Sequence, residues 1–153
     1  LLNLIEKTIK RFLEWIGLKE KLHGNIHKLP LFKEGEVWWC SFGENIGIEV
    51  NGKGSKFSRP AIIFKKLSAD GFFAIPLSTQ IKSGTWYVPI THREIECVAV
   101  LSQARVLSAK RLLEKYGELN EKDIQTIREG FFLLYLGRKF VPPFQAGSWD
   151  NPK

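Results

Sequence analysis

Three short stretches place side chains that can grip a phosphate near the ends of predicted strands. The first is Gly47-Ile48-Glu49, followed by a Gly/Lys/Ser loop and then Ser58-Arg59-Pro60. Loops of that composition lie on the surface and often carry function. Pro60 fixes the backbone at the strand entry and biases Arg59 toward an extended conformation. A guanidinium held there is suited to bidentate contact with a phosphate. Residues 51 to 66 hold Lys53, Lys56, Arg59, Lys65 and Lys66 and no carboxylate, so the positive field is local. The second stretch is Pro76-Leu77-Ser78-Thr79-Gln80. Neighbouring strand residues face opposite ways, so one of Ser78 and Thr79 can turn a hydroxyl toward a site. The third is Val100 to Leu107, where Gln103 and Arg105 share parity in a strand context.

The elements that must position these groups are short. From Glu36 onward the texture is that of strands: Val37 to Phe42, Ala61 to Leu67, Phe72 to Leu77, Trp86 to Ile90, Glu96 to Leu101 and Ala104 to Leu107. Asp70-Gly71 is a hairpin-turn signal between the second and third. Pro89 belongs at an edge or a bulge. Strands so short and so close predict a small barrel or a strongly bent sheet. Two helices are expected to follow. Ser108 is the expected cap of a helix from Ala109 to Tyr116 closed by Gly117, and Asn120 caps a second one, with Asp123 in its first turn. In that second helix Ile124, Ile127, Phe131 and Leu134 form the apolar stripe, and Gly137 is the expected stop. Ahead of the strands, residues 1 to about 22 read as an amphipathic helix with Leu1, Leu4, Ile5, Ile9, Phe12, Leu13 and Ile16 on one face. It is expected to dock on its own domain or on a sister subunit. Gly17 and Gly24 are its candidate stops. The reading divides the chain into an N-terminal helix and connector (1–34), a barrel domain with helices (35–137) and a C-terminal tail (138–153).

Taken together, Gly35-Glu36-Val37, Gly47-x-Glu49, Arg59-Pro60-Ala61, Ser78-Thr79-Gln80 and Gln103-x-Arg105 resemble, in order and spacing, the MazF/PemK family of toxin endoribonucleases, from about Gly35 to about Leu136. The resemblance implies an α+β, β-rich fold: a small SH3-like barrel of the MazF/PemK/CcdB type with a C-terminal helix. The N-terminal helix would be an addition to it. It also implies a cytoplasmic homodimer that cuts single-stranded RNA without metal or cofactor and is neutralised by an antitoxin protein. The substrate's 2′-hydroxyl attacks the adjacent phosphate and leaves cyclic-phosphate and 5′-hydroxyl ends. Carried over by motif, Arg59 and Ser78 are the catalytic pair, with Thr79 in place of Ser78 if the register shifts by one. Glu49 is the matching acid. Lys53, Lys56, Phe57, Thr79, Gln80, Lys82, Gln103 and Arg105 are the expected substrate contacts.

The chemistry accommodates these roles. RNA cleavage needs a base for the 2′-hydroxyl, an acid for the leaving oxygen and positive charge on the developing phosphorane. Arg59 supplies the charge but is a poor base, since a guanidinium keeps its proton to above about pH 12. Glu49 could act as base or orient Arg59. His92 is a spare proton carrier, whereas His23 and His27 precede the strands and lack a third ligand for a metal. Phe57 and Trp86 are the aromatic candidates for base stacking.

The bulk properties agree with this class. The 153 residues fit one domain, and a net charge of +7 is compatible with a polyanionic partner. No apolar run is long enough to span a membrane. Residues 1 to 22 carry Glu6, Glu14 and Glu20 and no continuous apolar core, against a secretory signal. With no Met in the chain, Leu1 is not the expected natural start. Cys40 and Cys97 sit in apolar runs and are expected to be buried free thiols. Two other classes remain open: a barrel that binds a protein partner, topoisomerase-poison-like, through its last helix and tail, and a nucleic-acid-binding module without chemistry.

Overall fold

Period-two alternation of apolar side chains builds a sheet with a core on each face. In the computed structural model, which describes residues 1–137, the strands are β1 (Glu36–Ser41), β2 (Ser58–Lys66), β3 (Gly71–Ser78), β4 (Tyr87–His92), β5 (Ile95–Val100), β6 (Arg105–Ser108) and β7 (Leu112–Glu118). Helix α1 (Leu2–His23) precedes them and α2 (Glu121–Leu136) follows. The tail expected at 138–153 lies outside the described residues. The strand order is β4-β5-β3-β2-β1-β7, with β6 also paired to β3, and every pairing is antiparallel. Trp38, Cys40, Ala61, Ile63, Phe72 and Ala74 point into one core, with Phe32 and Leu107. Their neighbours Val37, Ile62, Ile75 and Leu77 point into the other, which α2 covers with Ile124, Ile127, Phe131 and Leu134. The two ends of the strand order meet: His92 of β4 stacks on Tyr116 of β7 with ring centroids 5.2 Å apart, and His92 Nε2 lies 3.4 Å from the Tyr116 carbonyl. The sheet therefore curls into the small barrel the sequence implied.

Most local signals act as read. Leu67 and Ser68 N–H groups bond the Gly71 carbonyl across the β2–β3 hairpin. The Asn120 side chain accepts from the Asp123 N–H, and Gly137 ends α2 in the left-handed conformation. Pro89 sits on the edge strand β4. Cys40 and Cys97 are free and buried. Burial raises both thiols' pKa values, further for Cys40.

Three expectations are corrected. The helix predicted from Ala109 to Tyr116 is one 3₁₀ turn (Ala109–Arg111) followed by β7. Ser108 does cap that turn, accepting from the Lys110 N–H. Leu112–Glu118 is pulled into a strand by β1, whose free edge it pairs through two register shifts. Gly117 then lies within β7 at φ +147°, where a Cβ would come 2.7 Å from the His92 ring. Gln103 belongs to a 3₁₀ turn (Leu101–Gln103), not to a strand. Finally, α1 docks on its own domain through another face than its apolar stripe. Trp15 is its buried residue, with its ring centroid 5.5 Å from that of Phe57; of the stripe, Phe12 is half-buried while Leu1, Leu4, Ile5, Ile9, Leu13 and Ile16 are exposed. Gly17 leaves the helix unbroken, and Gly24 caps it, its N–H on the Glu20 carbonyl and the next N–H, that of Asn25, on the Leu22 carbonyl.

Candidate active site

The strand register sets the site. Ala61 pairs with Pro76 across β2 and β3. Continued two residues to the strand ends, that register sets Arg59 opposite Ser78. Both line two adjoining clefts. The first, about 160 Å³, holds Arg59 and Ser78 with Lys53, Thr79, His92, Cys97 and Tyr116. The second, about 340 Å³, holds them with Gln80, Lys82, Trp86, Tyr87, Ser102 and Gln103. Among the described residues no carboxylate lines either cleft. Arg59 and Ser78 thus stand between two concave surfaces whose charged side chains are all cationic.

Arg59 is held by its inner nitrogen. Its Nε donates to the Asn51 carbonyl, and its terminal nitrogens make no hydrogen bond or ion pair among the described residues. Partial burial lowers the guanidinium's pKa from its ordinary value, since the charged form loses hydration there. A fixed cation with two unspent donor groups and no counter-charge is matched to a phosphate. Ser78 Oγ accepts the Gln80 N–H at 3.2 Å, which leaves its proton to donate outward. Thr79 is exposed in the first cleft. His92 forms part of that cleft's wall with only 5 % exposure.

The loop between β1 and β2 (residues 42–57) is knitted by its own polar groups. Asn45 N–H bonds Asn51 Oδ1 at 2.6 Å, and Asn45 Nδ2 bonds the Val50 carbonyl at 2.8 Å. Gln103 clamps it from the barrel side, its Oε1 accepting the Val50 N–H at 2.8 Å and its Nε2 donating to the Ile48 carbonyl at 3.1 Å.

Of the residues singled out in the sequence, Lys53, Arg59, Ser78, Thr79, Gln80, Lys82 and Gln103 converge on the clefts. Gln103 spends both ends of its amide on the loop. Glu49, Lys56, Phe57 and Arg105 line neither cleft. Glu49 is exposed and accepts the Ile46 N–H at 3.1 Å, so the group orienting Arg59 is the Asn51 carbonyl rather than Glu49. Phe57 is 2 % exposed, enclosed by Trp15 and by the Arg11 guanidinium 4.4 Å from its ring centroid, and offers no free face for a base. Trp86, the other stacking candidate, is half exposed in the second cleft. Arg105 pairs with Ala74 in the β6–β3 ladder. Asn51, Trp39 and Tyr116 were not singled out in the sequence; an Asn acting through its main-chain carbonyl leaves no side-chain pattern to read.

A family model described as "PemK-like, MazF-like toxin of type II toxin-antitoxin system" matches residues 33–134. No curated protein matches the chain. Among solved structures, MazF from Deinococcus radiodurans is 21% identical with a TM-score of 0.56, covering 73% of this chain and all of its own. A mycobacterial endoribonuclease in complex with its cognate antitoxin is 15% identical with a TM-score of 0.55, covering 72% of this chain and all of its own. A MazE–MazF complex from Deinococcus radiodurans is 19% identical with a TM-score of 0.50, covering 71% of this chain and 96% of its own. At such identities these likenesses are of fold. The family match spans all seven strands and α2 to within two residues of its end, and by it the chain belongs to the PemK-like, MazF-like toxins of type II toxin–antitoxin systems, a family of endoribonucleases.

Proposed function

We propose that this chain cleaves single-stranded RNA by internal transesterification without a metal, and that Arg59 and a hydroxyl at the end of β3 carry the reaction. The observation that carries this reading is Arg59, whose terminal nitrogens have no partner among the described residues, in two clefts that Ser78 lines, the first of them with Thr79. The substrate's 2′-oxygen attacks phosphorus as its proton leaves. The bond from phosphorus to the 5′-oxygen breaks, and that oxygen takes up a proton. The products are a 2′,3′-cyclic phosphate and a 5′-hydroxyl. Charge on the phosphorane oxygens is met by the Arg59 fork, and Ser78 donates one hydrogen bond to them. His92, whose imidazole lines the first cleft, carries the proton from the 2′-oxygen to the departing 5′-oxygen. Lys53 and Lys82 hold the flanking phosphates, and Trp86 stacks a base. One of the solved structures of similar fold is an endoribonuclease in complex with its cognate antitoxin. In keeping with that, the chain acts as a cytoplasmic homodimer inhibited by an antitoxin that covers the cationic clefts.

The test is incubation of the purified protein with a long RNA in EDTA, followed by mapping of the new ends. Cyclic-phosphate and 5′-hydroxyl ends are expected. Removing one oxyanion-stabilising group costs about 10²–10³ in rate, so Arg59→Ala is expected to abolish detectable cleavage while circular dichroism stays unchanged. Full activity in a folded Arg59→Ala protein rules out its assigned role. Ser78→Ala and Thr79→Ala, run in parallel, decide which hydroxyl works.

A further inference from the structure

Helix α1 lies ahead of the stretch the family model matches, yet it reaches Arg59 through a continuous chain of hydrogen bonds. Arg11 Nε donates to Glu44 Oε2 at 2.9 Å. Glu44 Oε1 accepts from Asn51 Nδ2 at 3.1 Å. The Asn51 carbonyl accepts Arg59 Nε. We propose that α1 is a positioning element for the active site: Arg11 sets Glu44, Glu44 sets Asn51, and Asn51 aims the Arg59 guanidinium. The proposal rests on the reading of Arg59 as the phosphate-binding group.

Several features make the relay stiff. The Arg11–Glu44 pair is largely shielded, its side chains 30% and 12% exposed. Shielding strengthens such a pair relative to one in open water. Arg11 also donates from Nη2 to the Gly52 carbonyl at 3.4 Å, so one guanidinium holds both sides of the loop. Its guanidinium carbon lies over the ring of Phe57, the residue before the start of β2. Trp15 fixes the helix in turn. Its ring fills the space where a Cβ on Gly43 would sit, 2.4 Å from the nearest ring atom, and Gly43 has φ +97°. Asn51 is clasped a second time by the Asn45 N–H. Each link removes freedom from a loop that would otherwise move, and the last link is the orientation of a guanidinium that must meet a phosphorane within a fraction of an ångström.

Arg11 is therefore a positioning residue, and detaching α1 slows the chemistry without removing any group that touches RNA. In Arg11→Ala, kcat is expected to fall about tenfold with KM within twofold of the parent. Arg11→Lys, which keeps a cation on Glu44, is expected to restore most of that loss. Glu44→Gln supplies a near-isosteric second break, so the test survives if Arg11→Ala fails to fold. The double variant Arg11→Ala/Glu44→Gln is expected to lose no more than the worse single variant, because the links act in series. The direct readout is the Arg59 Nε–H resonance in ¹⁵N-labelled protein, assigned by its loss in Arg59→Lys. That signal is expected to shift or broaden in Arg11→Ala and Glu44→Gln. An unmoved Arg59 signal and unchanged kcat in a folded variant overturn the proposal, as does a loss confined to KM. If the signal moves in both variants but Arg59→Ala still cleaves RNA, the relay stands and the reading of Arg59 fails.

Discussion

Charged side chains are sorted here by what they meet. Arg59 has no carboxylate partner among the described residues, whereas Glu36, at the foot of β1, is saturated. Only 6 % exposed, Glu36 accepts from Lys115 Nζ at 2.8 Å, Trp38 Nε1 at 2.8 Å and the Lys33 N–H at 3.0 Å. Burial by itself pushes its carboxyl pKa up, but these donors outweigh burial and hold it below the ordinary carboxylate value. A carboxyl depressed in the folded state stabilises the protein above its unfolded pKa and stops doing so as pH falls through the folded one. Glu36→Gln is thus expected to cost about 1–3 kcal/mol at pH 7. The gap should close as pH falls from the unfolded carboxylate value of about 4.3 toward pH 2. Urea titrations of parent and variant at both pH values measure it; an equal gap at both would exclude the ionised carboxylate as its cause.

At the scale of elements, α1 separates what docks from what is amphipathic. Its helical period was plain in the sequence, but period alone does not say which face meets the barrel. The stripe of Ile5, Ile9, Leu13 and Ile16 is exposed, and contact runs through Trp15 and Arg11. Ile9→Gln is accordingly expected to leave stability within about 0.5 kcal/mol, whereas Trp15→Ala costs about 3 kcal/mol, both read from urea midpoints at a protein concentration where the chain is monomeric. A large loss in Ile9→Gln would mean that the stripe is packed in solution. The same distinction explains which elements were legible. Strands β1 to β6 followed from alternating apolar and β-branched residues and from the Asp70-Gly71 turn. Strand β7 did not, because Leu112-Leu113-Glu114-Lys115 has good helix propensity and becomes a strand only by pairing with the open edge of β1. The candidate site was legible in its side chains, Arg59 and Ser78, because motif order survives without coordinates. Its support was not: the Asn51 carbonyl and the reach of Arg11 across to Glu44 are products of folding that no spacing encodes.

At the scale of the whole molecule, net charge says less than where the charge lies. The chain carries +7, but many of its carboxylates are matched: Glu34 with Lys65, Glu36 and Glu118 with Lys115, Glu44 with Arg11, and Glu121 with Arg128. Among the described residues the charged side chains of the two clefts are cations alone, Lys53, Arg59 and Lys82. A single strand laid across them gives up one condensed counterion for each phosphate it engages there. Binding then weakens with salt by a slope of about −0.7 per contact on a log–log plot, or roughly −2 for three contacts. A 2′-O-methyl RNA, which lacks the attacking hydroxyl, allows this to be measured without cleavage. Lys53→Ala and Lys82→Ala are each expected to flatten the slope by about 0.7, while Lys10→Ala, on the exposed face of α1 against Glu14, leaves it unchanged. If all three lysines lowered the slope equally, the strand would be sampling a diffuse basic surface, and the clefts would lose their claim to be its path.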